Sequence, residues 1–370
     1  MKKILFVFGT RPEVIKLAPL IIELRKFPEL YDVKICNTEQ QKELSNQTLD
    51  YFGLKADYNL DCMKPNQTLS EVQARLLNAL DVVFKSESFD ATVVQGDTIT
   101  VLSGALASFY NKVPVYHVEA GLRSYDLKEP FPEEAMRQMV SRIADLNFCP
   151  TEENKKALLK EGLGLEKIFV TGNTVIDALF CLSEETLNKS KGFFSQNGIK
   201  IDDNLVLITV HRRENHGERL DKILDAIEVL VQKYSDHRFV LPVHPNPNVK
   251  DKIFARLEKF GNVKLLAPLD YPNLVYLMKN AKLILTDSGG IQEEAPSFAC
   301  PTIVLRYETE RKEGVDAGVS ILVGADYDKI LEQSEKVLSA DRLATRLKVQ
   351  NPYGNGKSAQ IIEQIIRERI

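Results

Sequence analysis

Short apolar runs recur along the chain, and most are followed by a turn and then by apolar residues returning every three or four positions. Residues 4–8, Ile-Leu-Phe-Val-Phe, read as a buried strand. Thr10 then suits a helix N-cap, Pro12 an early helical position and Glu13 a first turn. Val14, Ile15, Leu17, Ala18, Ile21, Ile22 and Leu24 predict a helix over 13–26, which Pro19 is expected to kink. Strands are predicted over 32–36, 91–94 and 113–118. Helices are predicted over 40–52, 70–84, from Thr98 to Tyr110, and over 133–144, 153–160 and 174–187. The polar stretch 188–204 reads as a surface loop. A second series of strands is predicted at 205–210, 239–242, 263–266, 283–286 and 302–305. This is the βαβ rhythm of α/β proteins with doubly wound parallel sheets. It predicts two Rossmann-like domains, 1–172 and 173–354, with a final helix within 355–370 returning to the first. Such folds bind ligands at the carboxyl ends of their strands, so the expected site is a cleft between the domains.

The length of 370 residues fits two domains, and 44% apolar with 27% charged residues is ordinary for a globular protein. A net charge of −4 (48 basic against 52 acidic residues) gives no basic surface for nucleic acid. The five cysteines, Cys36, Cys62, Cys149, Cys181 and Cys300, are scattered and form no Cys-x-x-Cys. They predict buried thiols in a reducing compartment and no zinc. The amino-terminal apolar run is too short for a signal peptide and ends in Gly-Thr-Arg-Pro-Glu. No apolar stretch reaches the ~18 residues of a membrane span, so a cytoplasmic protein is expected, with no membrane partner.

The candidate chemistry follows the predicted strands. Thr286-Asp287-Ser288-Gly289-Gly290-Ile291-Gln292-Glu293-Glu294 runs from a strand through a Gly-Gly turn into a helix. Unsatisfied N–H groups at Ser288, Gly289 and Gly290 suit a phosphate, and Glu294, about one turn on, suits a ribose. An ordinary capped turn is the plainer alternative. Arg11 and Lys16 at the first helix start suit an anion. No Gly-x-Gly-x-x-Gly occurs, which argues against a nicotinamide cofactor. Asp97 fits an N-cap as readily as a catalytic role. Glu119 ends an apolar strand, where burial is expected to raise its pKa toward that of a usable base. Glu133, Glu134 and Arg137 open the helix beyond a long loop, and for one of the two glutamates first-turn stabilisation suffices. His211 with Arg212 and Arg213 begins the second half. His244 fits a ligand contact and a turn histidine equally, His216 and His237 read as surface residues, and Arg306 is placed to reach a nucleotide.

Together these residues resemble the non-hydrolysing UDP-N-acetylglucosamine 2-epimerases, nearly end to end. The resemblance covers Gly9–Lys16, Gly96–Thr98, His117–Arg123, Pro130–Arg137, Gly172–Asp177, Thr209–Asn215, Thr286–Pro296 and Asn351–Gly354. It implies two Rossmann-like domains of the glycosyltransferase-B type, commonly a homodimer, needing no metal and no cofactor. It implies interconversion of UDP-GlcNAc and UDP-ManNAc for cell-surface polysaccharide synthesis in bacteria. By the same resemblance the catalytic residues are Asp97, Glu119, Glu133 and His211. The substrate-binding residues are Arg11, Lys16, Arg137, Arg213, His244, Ser288, Gly289, Gly290, Glu294 and Arg306. The chain departs from the family pattern at Asn37–Gln40 and Asn66, which resemble a regulatory site, and at Met136 and Lys312. A hydrolysing epimerase, a glycosyltransferase and a nucleotide-sugar-binding regulator are the alternative readings. The last would need the diphosphate cradle but not the three carboxylates.

Overall fold

In the computed structural model, which describes residues 1–370, the chain separates into two compact units, Met1–Cys181 with Tyr353–Ile370 and Leu182–Pro352. The first unit is built on seven strands: β1 (Lys2–Phe8), β2 (Tyr31–Asn37), β3 (Tyr58–Asn59), β4 (Ala91–Gln95), β5 (Val115–Val118), β6 (Leu146–Cys149) and β7 (Ile168–Val170). Their order is β3-β2-β1-β4-β5-β6-β7, and every pairing is parallel. Ile4 through Phe8 are wholly buried, as an unbroken apolar run requires of a parallel strand covered on both faces.

The second unit has six strands: β8 (Leu205–Thr209), β9 (Arg238–Pro242), β10 (Val263–Leu266), β11 (Leu283–Thr286), β12 (Thr302–Val304) and β13 (Ser320–Leu322). They are parallel in the order β10-β9-β8-β11-β12-β13. The helix Glu218–Lys233 lays Leu220, Ile223, Leu224, Ile227, Leu230 and Val231 into a core shared with Phe239, Leu283 and Leu285. That spacing is one face of a helix, and each such buried aliphatic side chain contributes about 1.5–3 kcal/mol before entropy is counted.

Both sheets reverse winding direction at one place, between β1 and β4 in the first and between β8 and β11 in the second. Loops leaving such a switch point diverge and leave room for a ligand. Gly9–Arg11 and Gly96–Thr98 follow β1 and β4. His211–Arg213 and Asp287–Gly290 follow β8 and β11.

Several expectations change. The predicted helix 174–187 is two helices, Thr174–Cys181 and Glu184–Gln196, because Ser183 caps the second by accepting the N–H of Thr186. The predicted loop 188–204 is therefore helical as far as Gln196. The helix Thr174–Cys181 packs on the helices Arg11–Leu24 and Ser358–Arg369 within the first unit, so the division falls after Cys181 rather than at 172. Asp177 helps bind this group by accepting the N–H of Ala359 at 2.8 Å, and Asn173 donates to the Tyr353 carbonyl at 2.7 Å. Pro19 lies inside the helix Arg11–Leu24, which runs on through it. Four of the five cysteines are buried and all are free thiols. No helix is long and apolar enough to cross a membrane.

Candidate active site

In the first unit, β4 and β5 lie side by side with Gln95 opposite Val118, so Asp97 and Glu119 leave the same edge of the sheet. Glu119 adopts a φ of 64°, a left-handed conformation that costs a non-glycine residue energy and is common at functional turns. One of its carboxylate oxygens accepts from Lys16 Nζ at 2.5 Å, the other from the Gln95 side-chain amide. Lys16 and Glu119 are 12% and 9% exposed, so this is a largely buried ion pair. Lys16, expected to meet an anion, thus lies against the Glu119 carboxylate.

Asp97 pairs with Arg137 Nη2. It is not a helix cap: the helix Ile99–Tyr110 is capped by the Thr98 hydroxyl, which accepts the N–H of Val101. His117, wholly buried, holds the preceding residue, its Nε2 lying 2.8 Å from the Gly96 carbonyl. That contact needs an N–H at Nε2. Burial lowers the His117 pKa to about 4, so the ring is neutral above that range. Gly96 has a φ of 85°, a conformation that favours glycine.

The two glutamates of the next helix divide the roles. Glu134 is wholly buried and accepts from the N–H groups of Ser124 and Tyr125, from Gln138 and from Arg137. Burial works to raise its pKa, but these donors outweigh it and the pKa is lowered. Glu134 therefore anchors the loop that follows β5. Glu133, one residue earlier and half-buried, makes no such bonds. Arg11 starts the helix Arg11–Leu24, its N–H donating to Gln41 Oε1 at 3.1 Å.

In the second unit, Asp287 organises the turn after β8. Its wholly buried carboxylate accepts the N–H groups of His211 and Arg212 at 3.0 and 2.9 Å and the Asn215 amide at 3.0 Å. His211 Nδ1 lies 3.1 Å from its other oxygen. Burial acts to raise the Asp287 pKa, but His211 and these donors reverse it, so the pKa is lowered. The His211 ring stacks on that of His244 at 6.1 Å. His244 is exposed and accepts the N–H of Asn246 at Nδ1, so it serves its own turn and backs His211. His237, expected on the surface, is 4% exposed beside Lys282, and His216 is half-buried.

Ser288, Gly289, Gly290 and Glu294 form a short helix start after β11, with Glu294 buried. A methyl group added at Gly289 would lie 2.8 Å from the Arg311 guanidinium carbon, so Arg311 covers this start. Arg311 pairs with Glu293 at 3.0 Å and Glu310 at 3.2 Å. Arg306 pairs with Glu214 at 2.6 Å and Glu310 at 2.9 Å. Arg306 is thus engaged by two carboxylates, and Arg213 is exposed. Burial acts to raise the Glu310 pKa, but its two arginines hold it at about 2. Arg212 is the more enclosed of the adjacent pair, and burial together with Arg306 lowers its pKa. Asp287, Arg311, Glu310 and Gln95 were not picked out from sequence. Asp287 carries the signal that singled out Glu119, an acid directly after an apolar strand, while the others depend on distant partners. No group of three or more His, Cys, Asp or Glu side chains is arranged to hold a metal ion.

The family model for UDP-N-acetylglucosamine 2-epimerase matches residues 23–367. The chain belongs to the UDP-N-acetylglucosamine 2-epimerase family. As a member of it the chain is an enzyme, an isomerase of the nucleotide-sugar class. A UDP-N-acetylglucosamine 2-epimerase of Neisseria meningitidis serogroup A is 44% identical over 99% of this chain and 100% of its own length. One from Yersinia pestis is 42% identical over 99% of this chain and 98% of its own. The crystal structure of the UDP-GlcNAc 2-epimerase from Neisseria meningitidis bound to UDP-GlcNAc matches with a TM-score of 0.89. It is 43% identical, covering 99% of this chain and all of that one. Epimerases of this family share the two parallel α/β domains seen here.

Proposed function

We propose that the chain interconverts UDP-GlcNAc and UDP-ManNAc without net hydrolysis, by eliminating UDP to give 2-acetamidoglucal and adding it back. The observation that carries this reading is the pair Asp97 and Glu119, on adjacent strand ends and each held by a cation. The hydrogen on sugar carbon 2 is not beside a carbonyl and is a weak acid. A carboxylate removes it only as the bond from carbon 1 to UDP breaks and carbon 1 gains oxocarbenium character. Charge then grows on the leaving diphosphate. The N–H groups at Ser288–Gly290, with Arg213, Arg11 and His211, stabilise that charge, an effect worth several kcal/mol when donors are fixed in advance. Glu294 receives the ribose. Return of a proton to the other face of carbon 2, with UDP re-adding at carbon 1, completes the exchange. Two faces call for two proton-handling groups, or for one group and an intermediate that moves, and Asp97, Glu119 and Glu133 are the groups at hand. A cytoplasmic homodimer supplying UDP-ManNAc to cell-surface polysaccharide synthesis completes the proposal.

The Asp97→Asn and Glu133→Gln variants test the assignment. Each is expected to lower turnover by about 10²–10⁴-fold, the usual worth of a positioned acid or base, with UDP binding retained. Steady-state kinetics and titration calorimetry with UDP read the two quantities separately. Near-normal turnover in both, and in Glu119→Gln, would overturn the carboxylate mechanism.

A further inference from the structure

Asp97 is steadied from several sides. His117 holds the carbonyl before it, Arg137 holds its carboxylate, and the residue after it, Thr98, is tied by its hydroxyl to Glu13 Oε1 at 2.5 Å. Glu13 is 2% exposed, and its other oxygen accepts the N–H groups of Gly9 at 2.7 Å and Thr10 at 3.0 Å. The latter bond belongs to an ordinary capping box at the start of the helix Arg11–Leu24. Capping does not account for the bond to Thr98, which crosses from the turn after β1 to the turn after β4. Nor does it account for the crowding at Gly9, where an added methyl group would lie 2.0 Å from Thr38 Oγ1 and 2.9 Å from Thr100 Oγ1.

We propose that Glu13 is a positioning residue for the epimerisation, its buried carboxylate fastening the turn after β1 to the turn after β4 and so setting where Asp97 stands. This rests on the proposed role of Asp97. The ionised carboxylate accepts from two N–H groups and a hydroxyl at full strength, whereas the neutral acid keeps one full acceptor, its carbonyl oxygen, and a much weaker one at its hydroxyl. A proton on either oxygen turns one acceptor into a donor and sets one of the three contacts donor against donor, or forces Thr98 to turn its hydroxyl away. Burial raises the Glu13 pKa to about 7, and its hydrogen bonds act against that rise. The charged groups on the surrounding elements are otherwise engaged: Lys16 with Glu119, Asp97 with Arg137, Asp177 with the N–H of Ala359 and Glu363 with Arg367. His117 is already neutral in this range. Loosening of the Asp97 turn is therefore expected as pH falls through about 7.

The test is Glu13→Gln, whose amide stands in for the protonated acid, measured on the full chain with UDP-GlcNAc. Wild-type kcat is expected to fall as pH drops through about 7. In the variant, kcat at about pH 8 should be roughly tenfold lower, KM should stay within about threefold, and that acid limb should be gone. A variant that keeps both the wild-type kcat and the limb would overturn the inference. If the variant does not fold, carbon-13 NMR of labelled wild-type glutamates supplies the answer. A carboxyl that titrates with the midpoint of kcat and persists in the Glu119→Gln and Glu133→Gln variants supports the inference, and the absence of any such carboxyl overturns it. A wild-type chain that binds UDP but does not epimerise would instead overturn the proposed function, and this inference with it.

Discussion

Glu119→Gln is expected to lower epimerisation by about 10³-fold while leaving UDP affinity within about threefold. The amide keeps the shape of the carboxylate and one acceptor, but it can neither take a proton from carbon 2 nor return one. It also removes the negative charge beside Lys16, which is largely buried. A buried charge that loses its partner typically costs about 3–5 kcal/mol, so the variant should also be less stable. The two effects can be separated. In the double variant Lys16→Met with Glu119→Gln no buried charge is left unpaired, and the melting temperature should recover in part. Turnover should stay at the level of the single variant, since the proton-handling carboxylate is still missing. Calorimetric melting and steady-state rates on the four members of the cycle provide the check. Turnover that recovered along with stability would make Glu119 a structural counter-ion rather than a proton-handling group.

The second large effect is expected at Asp287→Asn. This carboxylate is wholly buried and gathers donors from His211, Arg212 and Asn215. An asparagine there turns one of its two oxygens into an amide donor facing N–H groups. The cost is about 3 kcal/mol, the scale for charged hydrogen bonds lost in a buried site. The turn carrying His211, Arg212 and Arg213 should loosen, and UDP affinity should fall about tenfold or more by calorimetry. The pH dependence has a definite sign. The Asp287 pKa is depressed in the folded chain, so its contribution to stability is present above the ordinary carboxylate range and is lost as pH falls through the folded value. The gap in melting temperature between wild type and variant should therefore be full at neutral pH and close in acid. Equal melting temperatures and equal UDP affinities at neutral pH would remove Asp287 from this role.

These cases show which parts of the molecule could be read in advance. Runs such as residues 4–8 and 283–285 are buried strands because nothing polar interrupts them, and the motifs after them had to emerge at one edge of a parallel sheet. Partnerships were not legible, because they join distant parts of the chain. Lys16 and Glu119 are 103 positions apart, Arg306 and Glu214 92, and Arg137 and Asp97 40. For that reason the carboxylate partners of Lys16 and Arg306 could not be foreseen. Asp97 and Thr98 are both good cap residues, and only the helix starting at Ile99 decides between them. The helix Glu184–Gln196 was not expected beyond residue 187 because its polar sequence has little apolar period. Tertiary packing supports it instead, with Phe194 buried and stacked on Tyr276 at 5.9 Å. In β6, Asn147 interrupts an apolar run that is too short to read as a strand without its neighbours.

The proposed elimination and re-addition is tested most directly by proton NMR of the purified chain with UDP-GlcNAc in heavy water. The account predicts UDP-ManNAc carrying deuterium at carbon 2, with no build-up of free ManNAc and UDP. UDP-ManNAc that retained the original hydrogen at carbon 2, or free ManNAc released with UDP, would contradict it.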